Sequence, residues 1–469
     1  MHAPYRKTKI SVIGAGGGFV VGLIHDICLT PSLHDCAISF MDVNPERLDI
    51  SYALCTRYAR EMGINLKIEK TLDRHTSLKN ADFVITIALV DGARRLEEGW
   101  RAALKLGYKW PGSYHILYDE PFWLNFYQLR LFESITRDIL ELCPNAWHLL
   151  VSNPVLAATT YLQRKYPQCK MVGLCHGFSA VNEMPKVLGL AEGGLTCEIP
   201  GVNHFVWLTH CYHNGQDVFP MIDKWLEHDA EAYWAKKAND LDDAMRQSQT
   251  TIPLCGPMSP KSMDIYRKFG VIPIGDTANW TGASWPWWYH SSGEVENAWR
   301  VESEAPWFRY IETIKNTPKR YEKMLSDTSK KLAQQIKIGS GLTGEPMIPI
   351  VESISNDVPR SIIVNTLNCN EYVAGIPVDF EVEIPALVSK RGIQGIKTTG
   401  LPKPIIAHIL RDRVAPVDME LAAYAQGSRE LLVQLVLMDK WTQSLEHAND
   451  LLDAIFELPY HRELREYYK

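Results

Sequence analysis

The stretch Lys9-Ile10-Ser11-Val12-Ile13-Gly14-Ala15-Gly16-Gly17-Gly18-Phe19 decides how this chain is read. Lys9 to Ile13 is a short apolar strand that breaks into a glycine turn, and Phe19 to Ile27 reads as helix. That order lets backbone N–H groups and a helix N-terminus approach a pyrophosphate, whose charge the helix dipole favours. The next strand, Cys36 to Met41, ends at Asp42, where a carboxylate would accept hydrogen bonds from an adenosine ribose and repel a 2′-phosphate. NAD is therefore favoured over NADP. Phe19 stands where the third glycine of G-x-G-x-x-G belongs, so helix and sheet must pack differently there. A plain structural turn could carry the same glycines; the register of turn, helix, strand and terminal Asp favours the nucleotide.

The alternation continues outward. Arg47 to Met62 is a helix, Ala81 to Leu89 a near-continuous apolar strand, Phe126 to Leu142 a helix, and Trp147 to Val151 a strand ending in Ser152-Asn153-Pro154. Ligands in such sheets bind beyond the carboxyl ends of the strands. Asp42, the turn Val90-Asp91-Gly92, Asn153 and Cys175 all fall there, although each is also an ordinary turn former or core residue. The expected fold class is α/β: an N-terminal Rossmann-like doubly wound parallel sheet over residues 1–200, then a C-terminal α+β domain over 201–469.

Met171-Val172-Gly173-Leu174-Cys175-His176-Gly177 reads as a strand ending in chemistry. Neighbouring side chains on extended backbone point opposite ways, so Cys175 and His176 can share a site only where the strand turns, as Gly177 allows. A second motif, Gly201-Val202-Asn203-His204, offers another imidazole. Cys175 and His204 look like half a metal site, open for completion by substrate oxygens. Taken alone, a Cys after an apolar run is more often a small buried hydrophobe.

Beyond Pro200 the reading gives a strand at Phe205 to Tyr212, a helix at Met221 to Ala238, helical chain from Trp307 to Ile336, strands at Ser361 to Thr366 and Val378 to Ile384, and helices at Val417 to Leu437 and Gln443 to Leu458. Trp280, Trp285, Trp287, Trp288 and Tyr289 form an aromatic cluster whose ordinary reading is core or interface and whose functional reading is sugar stacking. With 469 residues, 46% of them hydrophobic, and a net charge of −6, the chain is long enough for two domains and has no basic run to hold nucleic acid. Met1 to Lys9 is polar and no run approaches a membrane span, so a cytoplasmic location is expected. Ten scattered cysteines read as reduced thiols.

Together these motifs resemble the NAD-dependent family 4 glycoside hydrolases. The resemblance rests on Gly14 to Gly18, Asn153-Pro154, Gly173 to Gly177, Gly201 to His204, Tyr266 to Asp276 (YRKFGVIPIGD) and Val382 to Val388, and points to the α-glucosidase and α-galacturonidase branch. It implies hydrolysis by a redox route in which NAD takes hydride from sugar C3, a base removes the proton at C2, the aglycone leaves C1, water adds and the hydride returns. It implies a divalent metal, Mn²⁺, held by Cys175 and His204. It further implies Asp276 as the C2 base, ranked above Asp119, and His176 as the acid. Asn153, Asn203 and Arg95 would contact substrate. The cofactor would lie against Gly14, Gly16, Gly17, Gly18, Phe19, Asp42, Val90, Ser152 and Asn153. A homodimer or homotetramer follows from family habit.

The expected substrate is an unphosphorylated small-molecule α-glycoside, with glucosides, hexuronides and sulfosugars all open. Arg94, Arg95, Arg101, Lys109 or Arg300 would hold an acidic group, or be solvated surface charges. Two other readings remain. An NAD-dependent dehydrogenase of a sugar or hydroxy acid would share the nucleotide half without needing Cys175 beside His204, and a non-catalytic NAD- or sugar-binding protein would keep the cleft alone.

Overall fold

The structure is a computed structural model describing residues 7–110, 112–248, 254–278, 285–301, 304–336 and 338–469. Trp280 and the first residues of the polar N-terminus lie outside the described residues. Six parallel strands form the N-terminal half: β1 (Lys9–Ile13), β2 (Ala37–Met41), β3 (Lys67–Thr71), β4 (Phe83–Thr86), β5 (Trp147–Leu150) and β6 (Met171–Gly173). Their order is β3-β2-β1-β4-β5-β6, the doubly wound arrangement expected from the glycine turn.

Burial explains the sequence pattern. Phe83 and Ile85 of β4 point into a core shared with α1 (Val20–Cys28), while Val84 points into the core on the other face, against the helix Phe122–Leu142. A strand covered on both sides reads as a continuous apolar run. The helix Pro45–Glu61 starts after Asn44, whose side chain accepts from the Arg47 N–H at 3.0 Å, with Pro45 in the first turn.

The sheet does not stop at β6. Gly173 pairs antiparallel with Asn365 of strand Arg360–Leu367, which pairs with Glu381–Ser389, then Gly201–Val202, Phe205–Leu208 and Ile272–Ile274. The result is one mixed sheet of twelve strands, and the expected boundary near residue 200 falls between strands of that sheet.

Several expected elements are divided. The run Phe205 to Tyr212 breaks at Thr209. Its first part joins the large sheet, and His210–His213 joins a separate three-stranded sheet with Leu195–Glu198 and Gln216–Asp217. The single helix expected over Met221 to Ala238 is two, Phe219–His228 and Ala230–Ser248. Gly427, at φ 63°, splits the helix expected over Val417 to Leu437 into Ala415–Gln426 and Arg429–Leu437. The strand expected from Val378 begins only at Glu381. Trp285 and Tyr289 are buried in the core, whereas Trp287 is exposed. All ten cysteines are free thiols, and no helix among the described residues is long and apolar enough to cross a membrane.

Candidate active site

The carboxyl ends of the parallel strands carry the glycine turn, Asp42, Ser152-Asn153 and Cys175 to one rim of the sheet. At the turn, Gly14 adopts φ 92°, and a Cβ there would lie 2.5 Å from Ala88 Cα. Gly16 is crowded by side chains: its Cβ would lie 2.8 Å from Asp42 Oδ2. Asp42 also braces the turn, accepting from the N–H groups of Gly16 (2.9 Å) and Asn44 (2.9 Å). Gly18 and Phe19 are exposed ahead of the first turn of α1, and Gly17 is partly so. This is an open helix N-terminus beside a carboxylate, which suits a pyrophosphate and a ribose. Val90 donates its N–H to Gln128 Oε1 at 2.7 Å, and Ser152 Oγ donates to Thr86 O at 3.3 Å, so both loops are tied to the sheet.

The second feature is a cluster of donors. The thiol of Cys175, the imidazole of His204 and the carboxylate of Asp276 present ligand atoms within 4.8 Å of one another. His204 Nε2 lies 3.1 Å from Asp276 Oδ2, and Cys175 Sγ lies 3.9 Å from the same oxygen. Each residue arrives on a different part of the sheet. Cys175 follows β6. His204 occupies the tight turn between Gly201–Val202 and Phe205–Leu208 with φ 58°, a left-handed conformation that costs a non-glycine residue energy and recurs at functional sites. Asp276 follows the helix Pro260–Phe269, begun by the Ser259 cap and ended by left-handed Gly270, and then the strand Ile272–Ile274. Sequence reasoning paired Cys175 with His204 and reserved Asp276 for proton transfer; the fold brings all three together.

The ring of His204 is oriented from behind. Tyr118 Oη is 2.9 Å from Nδ1 and Tyr114 Oη 3.5 Å, while Glu120 Oε1 approaches to 3.5 Å without a hydrogen bond. With Nδ1–H donated to Tyr118, Nε2 turns a lone pair toward Cys175 and Asp276. Asp119 is held by Asn153, whose Nδ2 donates to Oδ2 at 2.7 Å, so these two expected site residues meet on the same side of the cluster as His204. His176 points toward Glu345, at 3.0 Å, and its side chain is about half exposed.

Electrostatically the cluster calls for a cation. Burial, reinforced by Glu383 and Asp276, pushes the Cys175 thiol well above its ordinary range. Burial raises Asp119 to about 6 and Glu383 to about 7, and holds Glu120 and Glu381 well above the usual carboxylate range. The hydrogen bond to Glu345 raises His176. A thiol, an imidazole and carboxylates converging at this distance fit a divalent metal, which would reverse the thiol's shift and take the thiolate as ligand.

Two expected substrate contacts are engaged by other protein groups. Arg95 is buried with its guanidinium over the Tyr127 ring at 3.6 Å, and its Nη1 reaches Tyr460 O and His461, away from the cluster. It stands on the inner face of the helix Gly92–Lys105, where a planar cation packs well on aromatic rings. Asn203 is held beside the cluster by two buried carboxylates: its Nδ2 donates to Glu383 Oε2 (3.1 Å) and its backbone N–H to Glu381 Oε2 (3.2 Å). The residues not anticipated are Tyr114, Tyr118, Glu120, Glu345, Glu381 and Glu383. Of these, Glu381 and Glu383 carried a signal, since alternate residues of a strand share one face.

Residues 9–190 match the family 4 glycosyl hydrolase profile, and residues 199–442 match the family 4 glycosyl hydrolase C-terminal domain. An α-glucosidase of Erwinia rhapontici is 25% identical over 479 aligned positions, covering 96% of this chain and 97% of the relative. A Bacillus subtilis protein solved as a glucosidase superposes with TM-score 0.77 at 18% identity, over 96% of this chain and 99% of its own. A 6-phospho-α-glucosidase from gut microorganisms, solved in complex with NAD and Mn²⁺, superposes with TM-score 0.72 at 18% identity over 97% and 98%. With both halves matched around a glycine turn, a Cys–His–Asp cluster and a continuous sheet, the chain belongs to family 4 of the glycosyl hydrolases.

Proposed function

We propose that this chain hydrolyses an unphosphorylated α-glycoside through transient oxidation of the sugar, with NAD and a divalent metal such as Mn²⁺. The observation that carries the reading is the convergence of Cys175, His204 and Asp276 at the rim that also bears the glycine turn. The gut 6-phospho-α-glucosidase, which shares the fold, is solved with NAD and Mn²⁺, and the Erwinia relative is named an α-glucosidase. When bound, the nicotinamide would accept and return the C3 hydride while the metal stabilised negative charge on the sugar oxygens.

The chain's own residues would do the rest. The turn from Gly14 to Phe19 and the carboxylate of Asp42 bind and orient the nucleotide. Cys175 and His204 hold the metal, and Tyr118 fixes the ring of His204. Asp276 takes the proton from sugar C2; its Oδ2 already faces both donors. Asn153 and Asp119, joined at 2.7 Å, position the sugar hydroxyls. His176, with Glu345 favouring its protonated form, gives a proton to the leaving oxygen.

The test is release of product from aryl α-glycosides in D₂O with NAD⁺, Mn²⁺ and a thiol reductant, followed by NMR. Deuterium at C2 of the released sugar is the expected result. Release without deuterium would point to direct displacement or to a base shielded from solvent exchange, and stoichiometric accumulation of NADH would identify a net dehydrogenase instead.

A further inference from the structure

Arg413 is a buried cation whose surroundings do not balance it. It sits on a π-helical turn, Leu410–Val414, between the helices Lys403–Ile409 and Ala415–Gln426. Such turns are rare and recur at functional sites. Arg413 is only 3% exposed. Its Nη1 donates to Asp412 O at 2.9 Å, and its guanidinium lies 4.5 Å from the Tyr114 ring and 4.6 Å from the Phe205 ring. Among the described residues, Nε and Nη2 have no hydrogen-bond partner and no carboxylate pairs with it. The adjacent Asp412 is already engaged by Arg411 (2.6 and 2.8 Å) and by Trp285 Nε1 (3.1 Å). Glu120 feels the charge of Arg413 but forms no ion pair with it. A buried guanidinium with two unmet donors is costly unless an anion joins it.

Space for that anion exists. Arg413 lines a cleft of about 370 Å³ whose other walls include Ser113, Tyr114, Trp285, Trp287, Lys440 and the Arg411–Asp412 ion pair. Trp285 is buried and Trp287 half exposed, offering flat apolar surface, and Lys440 Nζ lies 5.3 Å from the Trp287 ring centre. The cationic residues expected from sequence to hold an acidic group are engaged elsewhere: Arg94 with Asp91, Arg101 with Glu97, Arg95 with tyrosine rings, Lys109 with the Trp441 ring and Arg300 with Ala238 O. The cleft also communicates with the donor cluster. Tyr114, its shared wall, stacks on Tyr118 at 4.5 Å, and both hydroxyls face His204 Nδ1, on the side of the ring away from Cys175 and Asp276.

We propose that this cleft binds an oxyanion carried on a sugar-sized frame, a carboxylate or sulfonate, with Arg413 as the buried anchor, Lys440 as a second cation and the two indoles as the wall for the apolar face. The anion belongs either to the far end of the glycoside or to a free sugar acid. The inference stands independently of the glycosidase reading, because binding is read without turnover.

The experiment is calorimetric titration of the full chain with D-galacturonate, with D-galactose as the neutral control of the same ring, and with inorganic sulfate. Galacturonate should bind at least about 10-fold more tightly than galactose, as charge-assisted hydrogen bonds to an otherwise unpaired guanidinium predict. Arg413→Gln should remove that preference and Lys440→Gln should reduce it several-fold. Lys440 is exposed, so its variant carries the test even where Arg413→Gln fails to fold. Repeating the titration with NAD⁺, Mn²⁺ and a non-hydrolysable thioglycoside separates the sources: displacement assigns the anion to the glycoside, and simultaneous binding assigns it to a free acid. Equal affinity for galacturonate and galactose, or an anion affinity unchanged in both variants, would overturn the proposal.

Discussion

Gly177 and Gly275 touch through their backbones, and this contact joins the loop bearing Cys175 to the loop bearing Asp276. A Cβ on Gly275 would stand 2.4 Å from Gly177 O and 2.7 Å from Gly177 Cα, and Gly275 has φ 56°. Gly275→Ala should therefore destabilise the protein by at least about 2 kcal/mol and push Asp276 away from its partners. Gly189→Ala is the control, because Gly189 has φ 67° but open space around it. The two variants' melting temperatures and glycoside turnover are compared. If Gly275→Ala is no worse than Gly189→Ala, the contact has no role beyond backbone conformation.

Metal affinity should follow the geometry around His204. Cys175→Ser and His204→Gln remove donors, and each is expected to weaken Mn²⁺ binding by at least about 100-fold. Tyr118→Phe leaves the donors but removes the hydroxyl 2.9 Å from Nδ1, and should cost about 10-fold, the usual scale for a group that orients a ligand. Calorimetric titration with Mn²⁺ gives the three values. Unchanged affinity in Cys175→Ser would remove the thiol from the ligand set.

Asp42 has two tasks, and its removal should be visible in both. Asp42→Ala leaves the N–H groups of Gly16 and Asn44 without their carboxylate and takes away the acceptor proposed for the ribose. We expect about 10-fold weaker NAD⁺ binding together with a lower melting temperature. A variant of lower stability with unaltered NAD⁺ affinity would make Asp42 a structural brace only.

Much of this arrangement could be read locally. The strand, glycine turn, helix and terminal Asp lie within about thirty consecutive residues, and each piece has its own steric or electrostatic reason. What could not be read depends on partners distant in the chain. The run Phe205 to Tyr212 is uniformly strand-like, yet nothing in it says that one half will pair with Ile272–Ile274 and the other with Leu195–Glu198. Asp276 reaches Cys175 only because two glycines a hundred residues apart abut. Nothing near Arg95 in sequence says that it is covered, because Tyr127 and Tyr460, which cover it, come from other parts of the chain. Arg413 carried no signal at all, since a π turn has no composition of its own.

Acid stability should be set in part by His148, on β5. It is buried, its Nε2 lies 2.9 Å from Thr86 Oγ1, and burial lowers its pKa to about 4. Below its unfolded pKa of about 6.5 the unfolded chain binds the proton and the folded one does not, so stability falls as pH drops from about 6.5 to 4 and is unaffected by this group above that window. The full effect is about 3 kcal/mol. Denaturant titrations of the wild type and His148→Gln between pH 4 and 8 check this; the variant's curve should be flatter across the window, and parallel curves would refute it.

The twelve-stranded sheet has a consequence for how the protein can be taken apart. Cys175 leaves one strand of it and His204 sits at the turn between two others, with Arg360–Leu367 and Glu381–Ser389 hydrogen-bonded in between. Those two strands come from the last quarter of the chain. A nascent polypeptide therefore holds every donor of the cluster well before it can hold them at their final spacing, and the site is completed only when late-synthesised strands slot between early ones. Proteolytic or genetic division anywhere between residues 175 and 389 would sever that insertion, leaving fragments that must find each other through main-chain pairing before either could do any chemistry.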